Sequence, residues 1–339
     1  MRIILIQAIH VIVWIADIPT MESRLTGSDC DDGSRQLTIA LLEKLAPSEG
    51  YNLTALEGIR LLRSNRPLSR TPVLYDPGIV IVCQGRKRGF FGDRVYLYDE
   101  RHYLAVSVPV PFTMETDASA EKPLLAIYMH LDFKLAADLM LQIDERNDSE
   151  RTKPAGMISS PIDQQLGASV LRFLQALSRP QEAEILGPAL VREIYFRVLT
   201  GEQGGSMRSA LATQGQFGKI SRALRRIHAS FSEGLNIDQL ASEAGMSPPT
   251  FHSHFKAVTN TTPIQYLKSI RLHQARLLMV RNGMTAATAC NEVGYESASQ
   301  FSREFKRLFG LSPAEEAKRM KANFSIPPAH TGSEYVSSH

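Results

Sequence analysis

The chain has 339 residues, 43% hydrophobic and 22% charged, with a formal net charge of +3, which fits a soluble intracellular protein of two ordinary domains. Its three cysteines, Cys30, Cys83 and Cys290, lie far apart and suggest neither a disulfide framework nor a metal pattern. There is no Gly-rich phosphate loop and no constellation of nucleophile and base, so composition and motif content argue against an enzyme and call for no cofactor and no metal.

The N-terminal run IILIQAIHVIVWIADIP is interrupted by Gln7 and His10, too short for a membrane span, and has no A-x-A cleavage site. Residues 1–49 are expected to be a poorly ordered extension, with Met21 a candidate for the true start. No membrane association is expected.

From Tyr51 to Asp132 the runs GIVIVCQ, RGFF, RVYLY, HYLAVSV and LLAIYMHL alternate with turn signals, Gly92-Asp93 among them. They predict short strands with a hairpin at that dipeptide, in a sandwich or barrel. The basic QGRKR at 84–88 reads as a solvated hairpin. His102 and His130 are isolated from one another, so no metal site of the H-x-H plus Glu kind is expected. Two apolar stripes follow, one through Leu166, Val170 and Leu174 and the other through Leu190, Ile194 and Val198. They predict two helices that cover an open side of the strands or form a dimer interface. GEQGGS at 201–206 reads as the start of a linker spanning 201–218.

Beyond it the chain repeats itself. Ser247, Phe251, Phe255, Lys256 and Pro263 recur fifty residues later as Ser297, Phe301, Phe305, Lys306 and Pro313, the fixed-period self-similarity of a duplicated unit. Each copy opens with an N-cap Ser, carries Phe at i and i+4, and ends at Pro. Pro248 takes the first helical position in one copy, while Ser297 and Gln300 offer an S-x-x-Q capping box in the other. Upstream, IDQLASEAG (237–245) and AATACNEVG (286–294) supply a preceding helix and a Gly turn, so each copy reads as helix-turn-helix. Cys290 stands in a small core position of the second. The intervening IQYLKSIRLHQARLLMVRNG predicts one connecting helix of about 18 residues, roughly 27 Å long. Residues 215–325 hold fifteen Lys and Arg against eight Asp and Glu, and positive charge there suits phosphate contact. Arg303, Lys306 and Arg307 lie on the second recognition helix, and Lys268, Arg271, Arg276 and Arg281 on the rod.

On the motif G-Y-x-S-x-S-Q-F-S-R-x-F-K-x-x-F-G-x-S-P (294–313), residues 219–321 resemble the two-module DNA-binding domain of the AraC/XylS transcription regulators. The stretch 72–112 resembles the cupin-like N-terminal domain of an AraC-type subgroup. The resemblance implies an α+β chain. Residues 50–200 would be a cupin-like β-barrel with a helical hairpin, and 219–321 an all-α domain of two helix-turn-helix modules on a linker helix, followed by a tail at 322–339.

With the Phe pairs turned inward, Pro249, Thr250, His252, Ser253 and Lys256 face outward in the first module, and Ser299, Gln300, Ser302, Arg303, Lys306 and Arg307 in the second. Of these, Pro249, His252, Ser253, Ser299, Gln300 and Arg303 match positions that the resembling proteins use for base contact. Arg303 suits guanine and Gln300 adenine, whereas His252 and Ser253 are less selective. His252 and His254 face different sides of their helix and do not form a metal pair. The implied partners are double-stranded DNA, RNA polymerase, a small-molecule effector in the barrel and a second copy of the chain, in the cytoplasm. A regulator whose barrel serves only for dimerisation, and a cupin enzyme fused to a DNA-binding domain, are the alternatives.

Overall fold

The computed structural model describes residues 27–144, 152–212 and 215–323. The N-terminal apolar run, Met21 and the tail from 324 lie outside the described residues. The chain opens with helix α1 (Gly27–Leu45), followed by strands β1 (Gly50–Leu53), β2 (Ile59–Ser64), β3 (Leu68–Tyr75), β4 (Gly78–Gln84), β5 (Arg86–Phe91), β6 (Arg94–Asp99), β7 (His102–Val106), β8 (Val110–Asp117) and β9 (Leu124–His130). Helix α2 (Phe133–Asp144), strand β10 (Met157–Pro161) and helices α3 (Gln164–Leu177), α4 (Pro180–Thr200) and α5 (Gly204–Leu211) complete this half.

The strands form one antiparallel sheet in the order β1-β2-β9-β4-β7-β6-β5-β8-β3, with β10 paired to β7. Its end strands β1 and β3 are not paired with each other, so the expected barrel is a half-barrel. The central strands read as unbroken apolar runs because both of their faces are covered. In β4, Val80 and Val82 join one core while Ile79, Ile81 and Cys83 join another. In β9, Leu124, Ala126 and Tyr128 divide from Leu125, Ile127 and Met129 in the same way. The second core is closed by Leu166, Val170 and Leu174 of α3 and Ile194 and Val198 of α4, so the two predicted stripes do cover the sheet.

Three expectations are corrected here. Residues 27–45 are a helix, and Leu42 and the following Ala46 are fully buried in the α3/α4 core; apolar burial orders a segment that looked like an extension. The segment 201–218 is largely helical, because Met207 and Ala210 of α5 are buried. QGRKR is not a solvated hairpin. Gly85 makes the turn into β5, where Arg86 and Arg88 project outward to Asp117 and Glu115 while Lys87 projects inward and is 3% exposed.

The C-terminal half consists of α6 (Gly215–Ser230), α7 (Ile237–Glu243), α8 (Pro248–Thr259), α9 (Pro263–Arg281), α10 (Ala286–Glu292), α11 (Ala298–Phe309) and α12 (Pro313–Asn323). Its two modules have different cores. Ile220, Leu224, Phe251, Phe255 and Tyr266 of the first run continuously into Val108, Val110 and Phe112 of the sheet. Met279, Cys290, Phe301, Phe305 and Phe309 of the second form a separate cluster.

Polar contacts pin the halves together. The Tyr266 hydroxyl donates to the Pro109 carbonyl at 3.0 Å and lies 2.8 Å from His228 Nε2; burial holds His228 neutral, its pKa lowered to about 3. Arg276 reaches the Pro72 carbonyl of β3 at 3.3 Å. Gly92, with φ +60°, turns the β5–β6 hairpin against Asn260, where any side chain would collide with the Asn260 amide.

Candidate nucleic-acid interface

Both modules start from the same local chemistry. Asn236 caps α7, its side chain accepting from the backbone N–H groups of Asp238 and Gln239, and Thr285 caps α10 by accepting from that of Thr288. The second helices follow a Gly turn. Ser297 caps α11 by accepting from Gln300 N, while Ser247 at the start of α8 pairs with the Thr250 hydroxyl at 2.8 Å. The expected capping box of α11 is only half made. The Gln300 amide does not turn back to the Ser297 backbone but donates forward to Glu304 Oε1 at 3.1 Å. Phe251 and Phe255, and likewise Phe301 and Phe305, are buried with ring centroids 5.5 Å apart.

With those rings inward, Pro249, Thr250, His252, Ser253 and Lys256 of α8 are exposed, as are Ser299, Gln300, Ser302, Arg303, Lys306 and Arg307 of α11. Each set lies on the outer side of its helix and extends from the N-terminal turn. Arg303 makes no hydrogen bond or ion pair with the described residues, so its fork of donors is available to a ligand. The adjacent Lys306 carries charge near Glu315, and that charge helps hold the carboxylate below its ordinary pKa, behind the bonds from Ser312.

The cations of the rod behave otherwise, and the expectation that they serve phosphate contact is corrected. Lys268 Nζ lies 2.7 Å from Glu304 Oε1. Arg271 donates to the carbonyls of Phe231 at 2.7 Å, Glu233 at 2.9 Å and Gly294 at 3.0 Å. Arg276 is fully buried, bonded to Glu316 at 3.3 Å and seated 4.3 Å from the Phe309 ring centroid. Arg281 is half-buried, and burial, then the nearby Arg60, lowers its pKa. These side chains turned inward because α9 is enclosed by both modules and the sheet, so its helical rows offer almost no free face.

Arg271 therefore fixes the relation of the two modules. It bridges the loop after α6 in the first to the turn after α10 in the second. At the same junction Gly294, with φ +78°, lies so close to the Ser232 carbonyl that a Cβ could not fit. Nothing in the sequence marked Arg271 out from the other basic residues of the rod. The Gly turn before α11 was legible, but not the surface it packs against.

A curled sheet joined to two helix-turn-helix modules on a shared helix defines a DNA-binding protein of two units. The family models agree. Residues 55–206 match the AraC-type transcriptional regulator N-terminus and residues 240–319 a helix-turn-helix domain; the chain belongs to the AraC-type regulators.

Among relatives, it is 25% identical over 170 residues to the HTH-type transcriptional regulator ArgR of Pseudomonas aeruginosa, covering 49% of this chain and 50% of that protein. It is 35% identical over 95 residues to the HTH-type transcriptional regulator AlkR of Acinetobacter baylyi, covering 28% of this chain and 31% of that one. The chain thus spans half or less of the length of these two relatives. In fold it is similar to ToxT from Vibrio cholerae, solved with (E)-4-(8-methylnaphthalen-1-yl)but-3-enoic acid. The TM-score is 0.54 at 11% identity, over 76% of this chain and 98% of that one.

Among the described residues no helix is long and apolar enough to cross a membrane. No group of three or more His, Cys, Asp or Glu is placed to hold a metal.

Proposed function

We propose that the chain is a sequence-specific transcription regulator whose α8 and α11 enter successive major grooves of double-stranded DNA. The observation that carries this is the duplicated presentation of the second helix of each module. Both are anchored by a buried Phe pair and expose polar side chains from the N-terminal turn, the geometry by which a recognition helix meets base edges. Pro249, Thr250, His252, Ser253 and Lys256 form one reading face, and Ser299, Gln300, Arg303, Lys306 and Arg307 the other. Arg303 is the guanine reader and Gln300 the adenine reader, while Lys306, farther along α11, meets phosphate.

The cupin-like half is the regulatory one, holding a small-molecule effector and biasing the DNA-binding half. Support comes from Lys87, an amine enclosed with the hydroxyls of Tyr75 and Tyr98 and with no carboxylate among its described partners. Contact with RNA polymerase and activation of transcription follow the family reading, as does a cytoplasmic location. A second copy would meet α4, where Ile185 is 65% exposed and Leu186 and Phe196 are also open to solvent. The matched families are regulators, and no enzymatic role is assigned.

The test is a binding titration of variants at several salt concentrations against a site selected from random DNA. Arg303→Ala is expected to cost roughly 1–3 kcal/mol on that site and to relax selectivity at one base pair. Lys306→Ala is expected to weaken all sequences alike and to flatten the salt dependence by about one unit. Equal loss on every sequence for Arg303→Ala would reverse the assignment of the reading face.

A further inference from the structure

Glu304 is the one acidic residue on α11, a helix otherwise suited to a polyanion. It is not an outward-facing charge. Its side chain is 13% exposed and meets three donors. Oε1 accepts from Lys268 Nζ at 2.7 Å and from Gln300 Nε2 at 3.1 Å, and Oε2 accepts from the Tyr295 hydroxyl at 2.7 Å. Burial pushes its pKa up, but these three donors outweigh burial and hold it below the ordinary range. An ionised carboxylate can only accept hydrogen bonds. The neighbouring amide must therefore turn Nε2, never Oε1, toward Glu304; the chemistry decides the orientation of the amide.

We propose that Glu304 is a specificity-positioning residue, which locks the exposed Gln300 amide in the one orientation that reads adenine. This rests on the reading of α11 as a base-contacting helix. One N–H of Nε2 is held by Glu304. In this lock the N–H trans to Oε1 is the one given to Glu304, so the cis N–H and Oε1 form the free edge of the amide, the donor and acceptor pair that meets adenine N7 and N6. A free amide could flip and offer other donor and acceptor patterns, so the lock acts by excluding alternatives as well as by favouring one. It also removes rotamer freedom from Gln300 before DNA arrives. Arg303 beside it has no such restraint and needs none, since both arms of its fork are donors.

The experiment uses the full chain and a site selected from random DNA. Gln300→Ala locates the base pair that Gln300 reads, and titrations then compare all four bases at that pair. Glu304→Gln, nearly isosteric, is expected to reduce discrimination there by about tenfold, with other positions retained. Added to Gln300→Ala it should produce no further loss of discrimination. Tyr295→Phe removes a donor to the same carboxylate without touching the Gln300 contact, and should leave the base preference unchanged.

The inference is overturned if Glu304→Gln weakens every sequence equally, if discrimination is unaltered, or if Tyr295→Phe relaxes the same base pair. It also fails if Gln300→Ala changes no base preference while selective DNA binding persists. Absence of any selected sequence for the unaltered chain would sink the DNA-reading proposal itself.

Discussion

Lys87 shows how a single side chain can carry the pH dependence of a core. Its amine lies 3.2 Å from the Tyr75 hydroxyl, and burial lowers its pKa to about 7. The unfolded chain would hold that proton up to about pH 10. Between pH 7 and 10 the unfolded state binds more protons than the native one, so this group makes stability rise with pH across that window and fall as pH returns to 7. Lys87→Met is therefore expected to stabilise the fold at pH 7, and the advantage should shrink by roughly 2–3 kcal/mol at pH 9.5. Urea denaturation of both proteins at the two pH values checks this; above pH 10 the buried tyrosines, whose pKa values are raised, begin to oppose the trend. An unchanged difference between the two proteins would show that the amine keeps its proton in the fold. The sequence held half of this. Period-two alternation through Arg86, Lys87 and Arg88 puts the lysine on the face opposite the two arginines, but which face closes over depends on strands far away in the chain.

Elements with strong local signals were legible. The caps, the Phe pairs and the terminating prolines give α8 and α11 from neighbouring residues alone, and unbroken apolar runs give β4 and β9. Elements whose order comes from distant packing were not. α1 begins with GSDCDDGS and is ordered by Leu42 and its apolar neighbours Ile39, Leu41 and Leu45, which pack into the core shared by α3, α4 and the sheet. The rod α9 was legible as a helix but not as an enclosed one.

Its Arg276 makes a buried pair with Glu316, whose Oε1 also accepts from Arg319 at 3.0 Å. Glu316→Gln leaves the fully buried guanidinium without its counter-charge, and is expected to cost about 3–5 kcal/mol. Arg319→Ala, at a side chain 31% exposed, should cost about 1 kcal/mol or less. Thermal or urea unfolding compares them. Similar small losses in both would mean that the Pro72 carbonyl and the Phe309 ring suffice to hold Arg276.

At the scale of the whole molecule, the two modules are tandem copies in one chain and no twofold axis relates them, so a single chain calls for a non-palindromic site. The 19 residues of α9 span roughly 28 Å, and adjacent major grooves on one face repeat every ~34 Å, or about 10 base pairs. Footprints should show two protected segments at that spacing. What makes the spacing strict is the clamp beside the rod: Arg271 holds carbonyls from both modules, and Gly294 admits no gap against Ser232. One base pair inserted between the contacted segments rotates one of them by about a tenth of a turn, which a rigid pair of modules cannot follow. The unaltered chain should therefore lose affinity sharply on the expanded site. Arg271→Met removes the three carbonyl bonds while keeping the stem of the side chain, so it should bind the original site more weakly and tolerate the insertion better. Titration of both proteins on both sites gives the comparison as a ratio. An equal penalty for the insertion in the two proteins would mean that α9 and its packing, without Arg271, set the distance between the reading helices.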